Sequence, residues 1–253
     1  NILLPLDQIA STPGLEELTI TTNGSQLYKM SQDLLNVGVS RINISLDTLD
    51  PQRFFTLTRR DKFQQVIDGI EKAASLPFKR LKINSVILKN HNDDELFALT
   101  DFALQRNMDI SFIEEMPLGY ISDHDRAATY KSSDEVIQDL SQHYQLTPST
   151  STTSGPTRYY QVAGHSHRVG VISPHSHNFC DTCNRVRLTV EGRLLLCLGN
   201  EHSKDLKPYI RQAQSNITLQ EAIIEALALK PEKHHFNLDE APQILRFMSA
   251  TGG

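Results

Sequence analysis

The feature that most restricts the fold is an alternation of short strand-like runs with helix-period runs from Leu15 to about Leu118. Leu18–Asn23 reads as a strand ended by Gly24, Leu27–Val37 as a helix, and Arg41–Asp47 as a second strand. Asp61–Ser75 carries Phe63, Val66, Ile67, Ile70 and Ala74 at helical spacing. Leu81–Leu88 follows as a strand, Asp93–Arg106 as a helix with Leu96, Leu99 and Phe102 on one side, and Asp109–Glu115 as a strand. This order predicts an α/β fold with a mostly parallel sheet and right-handed crossovers. The strands found in this stretch are too few to close an eight-stranded barrel. The sheet is therefore open or lacks strands. The start at Asn1, without Met and straight into Ile2-Leu3-Leu4, favours missing strands and an absent N-terminus.

Side chains alternate faces along a strand. Leu18 and Ile20 oppose Thr19, Thr21 and Asn23; Ile42, Ile44 and Leu46 oppose Asn43, Ser45 and Asp47; Leu81 and Ile83 oppose Lys82 and Asn84. A half-solvated antiparallel sheet shows such alternation, but intervening helices argue for parallel strands, which are usually apolar on both faces. A polar face on three successive strands therefore suggests a lumen for a polar ligand. An inward lysine, Lys82, needs an anionic partner such as phosphate or carboxylate.

After Gly119 the pattern changes. Ser132-x-x-Glu135 is a capping box opening a helix to about Tyr144, and Thr147–Thr157 is a Ser/Thr/Pro loop. Arg158–Ala163 and Arg168–Ile172 look like strands, and Val186–Val190, Glu191-Gly192 and Arg193–Leu198 read as a hairpin. Thr218-x-x-Glu221 caps a helix towards Lys230.

The three cysteines cluster as Cys180-x2-Cys183-x13-Cys197. An odd, clustered count does not suit a disulfide framework; it suits metal or cluster ligation in a reducing compartment. Two thiolates two residues apart can turn onto one centre, and the hairpin brings the third. An iron–sulfur cluster with an open iron and a zinc ion with a fourth ligand, His175 or His177, are both consistent with the spacing. Arg185 and Arg187, after Asn184, can clamp a phosphate or carboxylate beside them. The net charge of −5 gives no general nucleic-acid signature, so any anion site is local. No apolar run approaches the roughly 18 residues that span a membrane.

The segment CDTCNRVRLTVEGRLLLCL closely resembles the C-terminal cluster segment of the MoaA family, the GTP 3′,8-cyclases of molybdenum cofactor biosynthesis. TTNG at Thr21–Gly24, ISLD at Ile44–Asp47, KIN at Lys82–Asn84, FIEEM at Phe112–Met116, SGP at Ser154–Pro156 and the terminal Gly252-Gly253 fall in that family's order. The resemblance implies a partial, six-stranded TIM-like (α/β) barrel, here from 1 to 119 and without its N-terminal strands. An α+β cluster-binding region would follow from 120 to 253. It implies radical S-adenosylmethionine (SAM) chemistry, in which a 5′-deoxyadenosyl radical takes hydrogen from carbon 3′ of GTP and the ribose carbon adds to carbon 8 of guanine. The product would be 3′,8-cyclo-7,8-dihydroguanosine triphosphate.

Two 4Fe–4S clusters are implied, one on Cys180, Cys183 and Cys197 with an iron open to guanine. The other belongs to a Cys-x3-Cys-x2-Cys motif that this sequence does not contain, so its radical-generating residues are unassigned and this chain by itself is expected to be inactive. By position in the motifs, Thr21, Lys82, Arg185 and Arg187 would contact GTP, Ser45 and Met116 would contact SAM, and Gly252 and Gly253 would form a tail reaching the active site. The implied partners are GTP, a reductant, the next enzyme of the molybdopterin pathway and a second copy of the chain in a homodimer. Nucleic acid and membrane are not among them, and the implied location is cytoplasmic.

Overall fold

The computed structural model describes residues 2–119, 124–150, 155–212, 216–233, 236 and 244. Its strands are β1 (Thr19–Thr22), β2 (Arg41–Ser45), β3 (Arg80–Ile87), β4 (Asp109–Glu114), β5 (Leu146–Pro148), β6 (Arg158–Val162), β7 (Arg168–Ile172), β8 (Arg187–Leu188), β9 (Arg193–Leu195) and β10 (Ser203–Asp205). Its α-helices are α1 (Leu3–Ala10), α2 (Leu27–Asn36), α3 (Pro51–Thr58), α4 (Phe63–Ala74), α5 (Leu96–Gln105), α6 (Arg126–Thr129), α7 (Ser133–Leu140), α8 (Lys207–Gln212) and α9 (Asn216–Ala228). The chain divides into two compact units, residues 1–115 with 129–176, and residues 116–128 with 177–253.

The first unit is built on a mixed sheet of order β1-β2-β3-β4-β7-β6-β5. β1, β2, β3, β4 and β7 run parallel, and β6 and β5 continue it antiparallel. Helices lie between the parallel strands in sequence, as the alternation predicts. The sheet does not stop at β4: β7 pairs directly with it, so the hairpin-linked strands after residue 145 belong to the same sheet. Ile44, Ile83, Ile110 and Val169 stand in register across four strands, each fully buried. This apolar row, with Ile42, Phe112 and Val171, forms the core with Leu27, Leu34, Val66, Ile70, Leu99 and Ala103. Burying each such side chain is worth about 1.5–3 kcal/mol.

Local signals explain the elements. The Ser132 hydroxyl accepts from the Glu135 N–H while the Glu135 carboxylate accepts from the Ser132 N–H, so the expected capping box opens α7. The helix stops at Leu140 rather than near Tyr144, whose hydroxyl instead donates to Asp101 at 2.6 Å. Gly24, after β1, has φ of 77°, and a Cβ there would lie 2.9 Å from Val66 Cγ1, so the turn and the close approach both require glycine. Helix α3 is an element the sequence reading missed, although Asp50 caps it and Pro51 opens it. α1 was missed as well. Part of the expected 147–157 loop is β5, paired with β6; residues 151–154, including Ser154, lie outside the described residues.

In the second unit β8, β9 and β10 form a small antiparallel sheet. The expected hairpin is present, shortened to β8 and β9, and Gly192 turns it. α9 starts at Asn216, so Thr218 sits inside its first turn rather than capping it. Leu194, Leu196, Leu206, Ala222 and Ala226 make this unit's core.

Candidate functional site

Register places the polar positions of the first unit in rows. Thr21, Asn43, Lys82 and Asp109 are aligned across β1 to β4, and Ser45, Asn84, Ser111 and Gly170 form the next row across β2, β3, β4 and β7. The Asn43 amide donates to Thr21 Oγ1 at 3.3 Å. Thr21, Ser45 and Lys82 therefore share one face, as alternation predicts. Gly170 lets Thr157 pack against this face: a Cβ there would meet Thr157 Cγ2 at 2.3 Å and Ser111 Oγ at 3.0 Å. Asn43 Oδ1, Asn84 Oδ1 and Ser111 Oγ are buried without a hydrogen-bond partner. Each such group costs about 1–3 kcal/mol unless something bonds it. Three of them on one face constitute a surface ready for a polar ligand.

The face is also cationic. The Asp109 carboxylate accepts from the Arg168 N–H at 2.9 Å and from its guanidinium at 2.8 Å, and Arg80 Nε lies 3.6 Å away. Arg168 also lies over the Tyr159 ring, 4.0 Å from its centroid, and Arg41 pairs with Glu17 at 2.9 Å. Lys82 is only 7% exposed and, among the described residues, has no hydrogen-bond or ion-pair partner. Burial pushes its pKa down to about 8; Arg41, Arg168 and Arg80 add to the fall, and Asp109 opposes it. An anion beside Lys82 would reverse this.

The strand ends are knitted by polar side chains. Asn92, buried, donates to Asp47 O at 2.7 Å and Val86 O at 2.9 Å, and its Oδ1 accepts from the Leu88 N–H at 2.8 Å. Burial raises the Asp47 carboxyl to about 6, against the Val86 N–H it accepts. Glu114, at the end of β4, accepts from the N–H groups of Ser133, His175 and Ser176 at 2.8, 2.9 and 3.1 Å. Burial would raise its pKa, but Ser176 and these N–H groups hold it below the usual carboxylate range. His175 Nε2 lies 2.9 Å from Glu115 O, so the ring already has a backbone neighbour.

In the second unit, Cys180 opens a one-turn 3-10 helix, Cys180–Thr182, and Cys183 caps its C-terminal end, its N–H donating to Cys180 O at 2.9 Å. All three cysteines are free and half-buried. Burial favours the Cys183 thiol, yet Arg185, then Lys230, lower its pKa. Arg187 is lowered by burial and by Arg185, while Cys183 and Cys197 both act to raise it. Cys183, Cys197, Arg185 and Arg187 are thus brought into one region, and the Arg185 guanidinium sits 5.1 Å from the Phe179 ring centroid. Among the described residues no three His, Cys, Asp or Glu side chains form a group that could hold one metal ion. Met116 is half-buried in this unit, two residues after β4. Gly252 and Gly253 lie outside the described residues.

Sequence reading missed Arg41, Arg80, Asp109, Arg168 and Lys230. Strand parity alone places Arg41 and Arg80 on the polar face. The Asp109–Arg168 pair needed the β4–β7 neighbourhood, across a separation of 59 residues.

These features match known families. Residues 3–103 match the Radical SAM superfamily model, and residues 108–236 match the Molybdenum Cofactor Synthesis C model. Together they define the class: a radical SAM enzyme with a molybdenum cofactor synthesis C-terminal region. A GTP 3′,8-cyclase from Pseudomonas entomophila is 56% identical over 97% of this chain and 74% of its own length. Another from Saccharophagus degradans is 50% identical over all of this chain and 77% of its own. The chain belongs to the GTP 3′,8-cyclase family. Among solved structures, Streptococcus suis SuiB bound to S-adenosylmethionine shares the fold, with a TM-score of 0.51 at 14% identity. That likeness covers 81% of this chain and 48% of SuiB. No helix of the described residues is long and apolar enough to cross a membrane.

Proposed function

We propose that the protein converts GTP to 3′,8-cyclo-7,8-dihydroguanosine 5′-triphosphate as a radical SAM enzyme, the first step of molybdenum cofactor biosynthesis. The observation that carries this reading is the thiol region of the second unit, where Arg187 lies near both Cys183 and Cys197, Arg185 and Lys230 lie near Cys183, and Lys230 bonds the carbonyl of Leu196 beside Cys197. Three cysteines, two of them beside arginines, suit a cluster that meets an anionic substrate. SAM and an iron–sulfur cluster of its own would supply the radical chemistry, but this sequence has no Cys-x3-Cys-x2-Cys motif to hold that cluster, so this chain by itself binds substrate and the second cluster without turning GTP over.

Every other role falls to this chain's side chains. The polar face of the sheet is the inner face of a partial six-stranded barrel. Lys82, Arg185 and Arg187 are the proposed contacts to the triphosphate. Thr21 donates or accepts a neutral hydrogen bond to GTP, while Ser45 and Met116 contact SAM. Cys180, Cys183 and Cys197 hold a second 4Fe–4S cluster, and Gly252-Gly253 is the tail that reaches the substrate. A reductant, the next molybdopterin enzyme and a second copy of the chain are the proposed partners, in the cytoplasm. Arg185→Ala tests the reading. A lost charge-assisted contact is worth about 1.5–3 kcal/mol, so GTP affinity by calorimetry should fall about 10- to 100-fold. Unchanged affinity removes Arg185 from the substrate site.

A further inference from the structure

Lys230, two residues beyond α9, extends its side chain into the thiol region of the second unit. Its Nζ donates to Leu196 O at 2.7 Å and Arg185 O at 3.1 Å, and lies 4.0 Å from Cys183 Sγ. Leu196 directly precedes Cys197, and Arg185 is two residues after Cys183. One ammonium thus ties the backbone beside two of the three cysteines and points its remaining donor at a thiol. The side chain is half-buried, so it gives up water in exchange for these partners. Neither carbonyl is anionic. Two neutral acceptors do not neutralise a lysine, so the charge is left for something negative between them.

We infer that Lys230 is a positioning residue for the cluster held by Cys180, Cys183 and Cys197, fixing the Cys183 and Cys197 backbones and donating to the Cys183 thiolate. This rests on the cluster reading above. Hydrogen bonds to the sulfurs and nearby charge set a cluster's reduction potential. A cation stabilises the reduced, more negative cluster, so Lys230 raises the potential. Arg185 and Arg187 face the same thiols and would act in the same direction; Lys230 differs in being anchored to both carbonyls.

The test uses the anaerobically reconstituted protein, as wild type and as Lys230→Met and Lys230→Arg. Iron content, the electron paramagnetic resonance signal of the reduced cluster and its midpoint potential are measured. The cluster's share of the iron is identified by the Cys183→Ser variant. The expected result for Lys230→Met is a cluster at least about tenfold harder to reduce, a fall of about 59 mV for a one-electron couple. Loss of its iron would equally support the role, provided Lys230→Arg retains it. Lys230→Arg should stay near the wild-type potential. Wild-type potential and signal in Lys230→Met would overturn the inference while leaving the cluster reading intact. Equal loss from both variants would mean that shape alone matters and would overturn it too. A wild-type protein whose iron is unaffected by Cys183→Ser would overturn the cluster reading, and this inference with it.

Discussion

Replacing Lys82 by Met should stabilise the protein while damaging substrate binding. The lysine is 7% exposed, and burial with the surrounding Arg41, Arg168 and Arg80 holds its pKa near 8 rather than the usual 10.5. The unfolded chain therefore binds the proton more tightly than the folded one. Below pH 8 the folded state carries the whole penalty, about 3 kcal/mol at 1.36 kcal/mol per pKa unit. The penalty is relieved as pH rises from 8 to 10.5 and is absent above that. Met fills a similar volume without charge. Lys82→Met should thus gain up to about 3 kcal/mol at pH 7, raising Tm by roughly 6–12 °C for a chain of this size. The gain should shrink across pH 8–10.5. GTP should raise the Tm of the wild type more than that of the variant, because the triphosphate removes the penalty only where a lysine is present. Thermal unfolding at several pH values, with and without GTP, reads all of this. A variant less stable than wild type at pH 7, or a difference that persists above pH 10.5, would refute the account of Lys82 as a buried cation awaiting an anion.

Asp47→Asn should also stabilise at neutral pH, since the amide oxygen can still accept from the Val86 N–H. The Asp47 carboxyl is raised by burial to about 6, so its penalty is complete above pH 6 and disappears as pH falls towards 3.8. Urea unfolding at pH 8 and pH 4 should show the variant ahead only at pH 8. Asp109→Ala should cost about 3–5 kcal/mol, because it strands the buried Arg168 guanidinium. A shift in urea midpoint with constant slope measures it, and a cost under 1 kcal/mol would mean the pair is not structural.

Much of the fold was legible because strand parity and helix period are local. The parallel core β1 to β4 was read from alternation, and the register then put Thr21, Lys82 and Ser45 where parity placed them. What parity could not reveal was adjacency between distant segments. β7 lies against β4 only because Val169 and Val171 complete the apolar row begun at Ile110 and Phe112, and no turn signal links them. α3 was readable in principle, from Asp50-Pro51, but its apolar positions are too few to announce a helix by period. The cysteine spacing was legible as a ligand set. Lys230 was not, since it meets Cys183 across 47 residues and looks like any lysine at a helix end.

The central claim is that Cys180, Cys183 and Cys197 hold an iron–sulfur cluster that meets GTP. The most direct measurement is anaerobic reconstitution with iron and sulfide, comparing the protein with a variant carrying serine at all three positions. Iron is counted, and the reduced samples are examined by electron paramagnetic resonance with and without GTP. The account predicts that the variant loses about four irons and a signal that GTP alters in the wild type. Iron uptake equal in both proteins, or one tightly held zinc with no response to GTP, would contradict it.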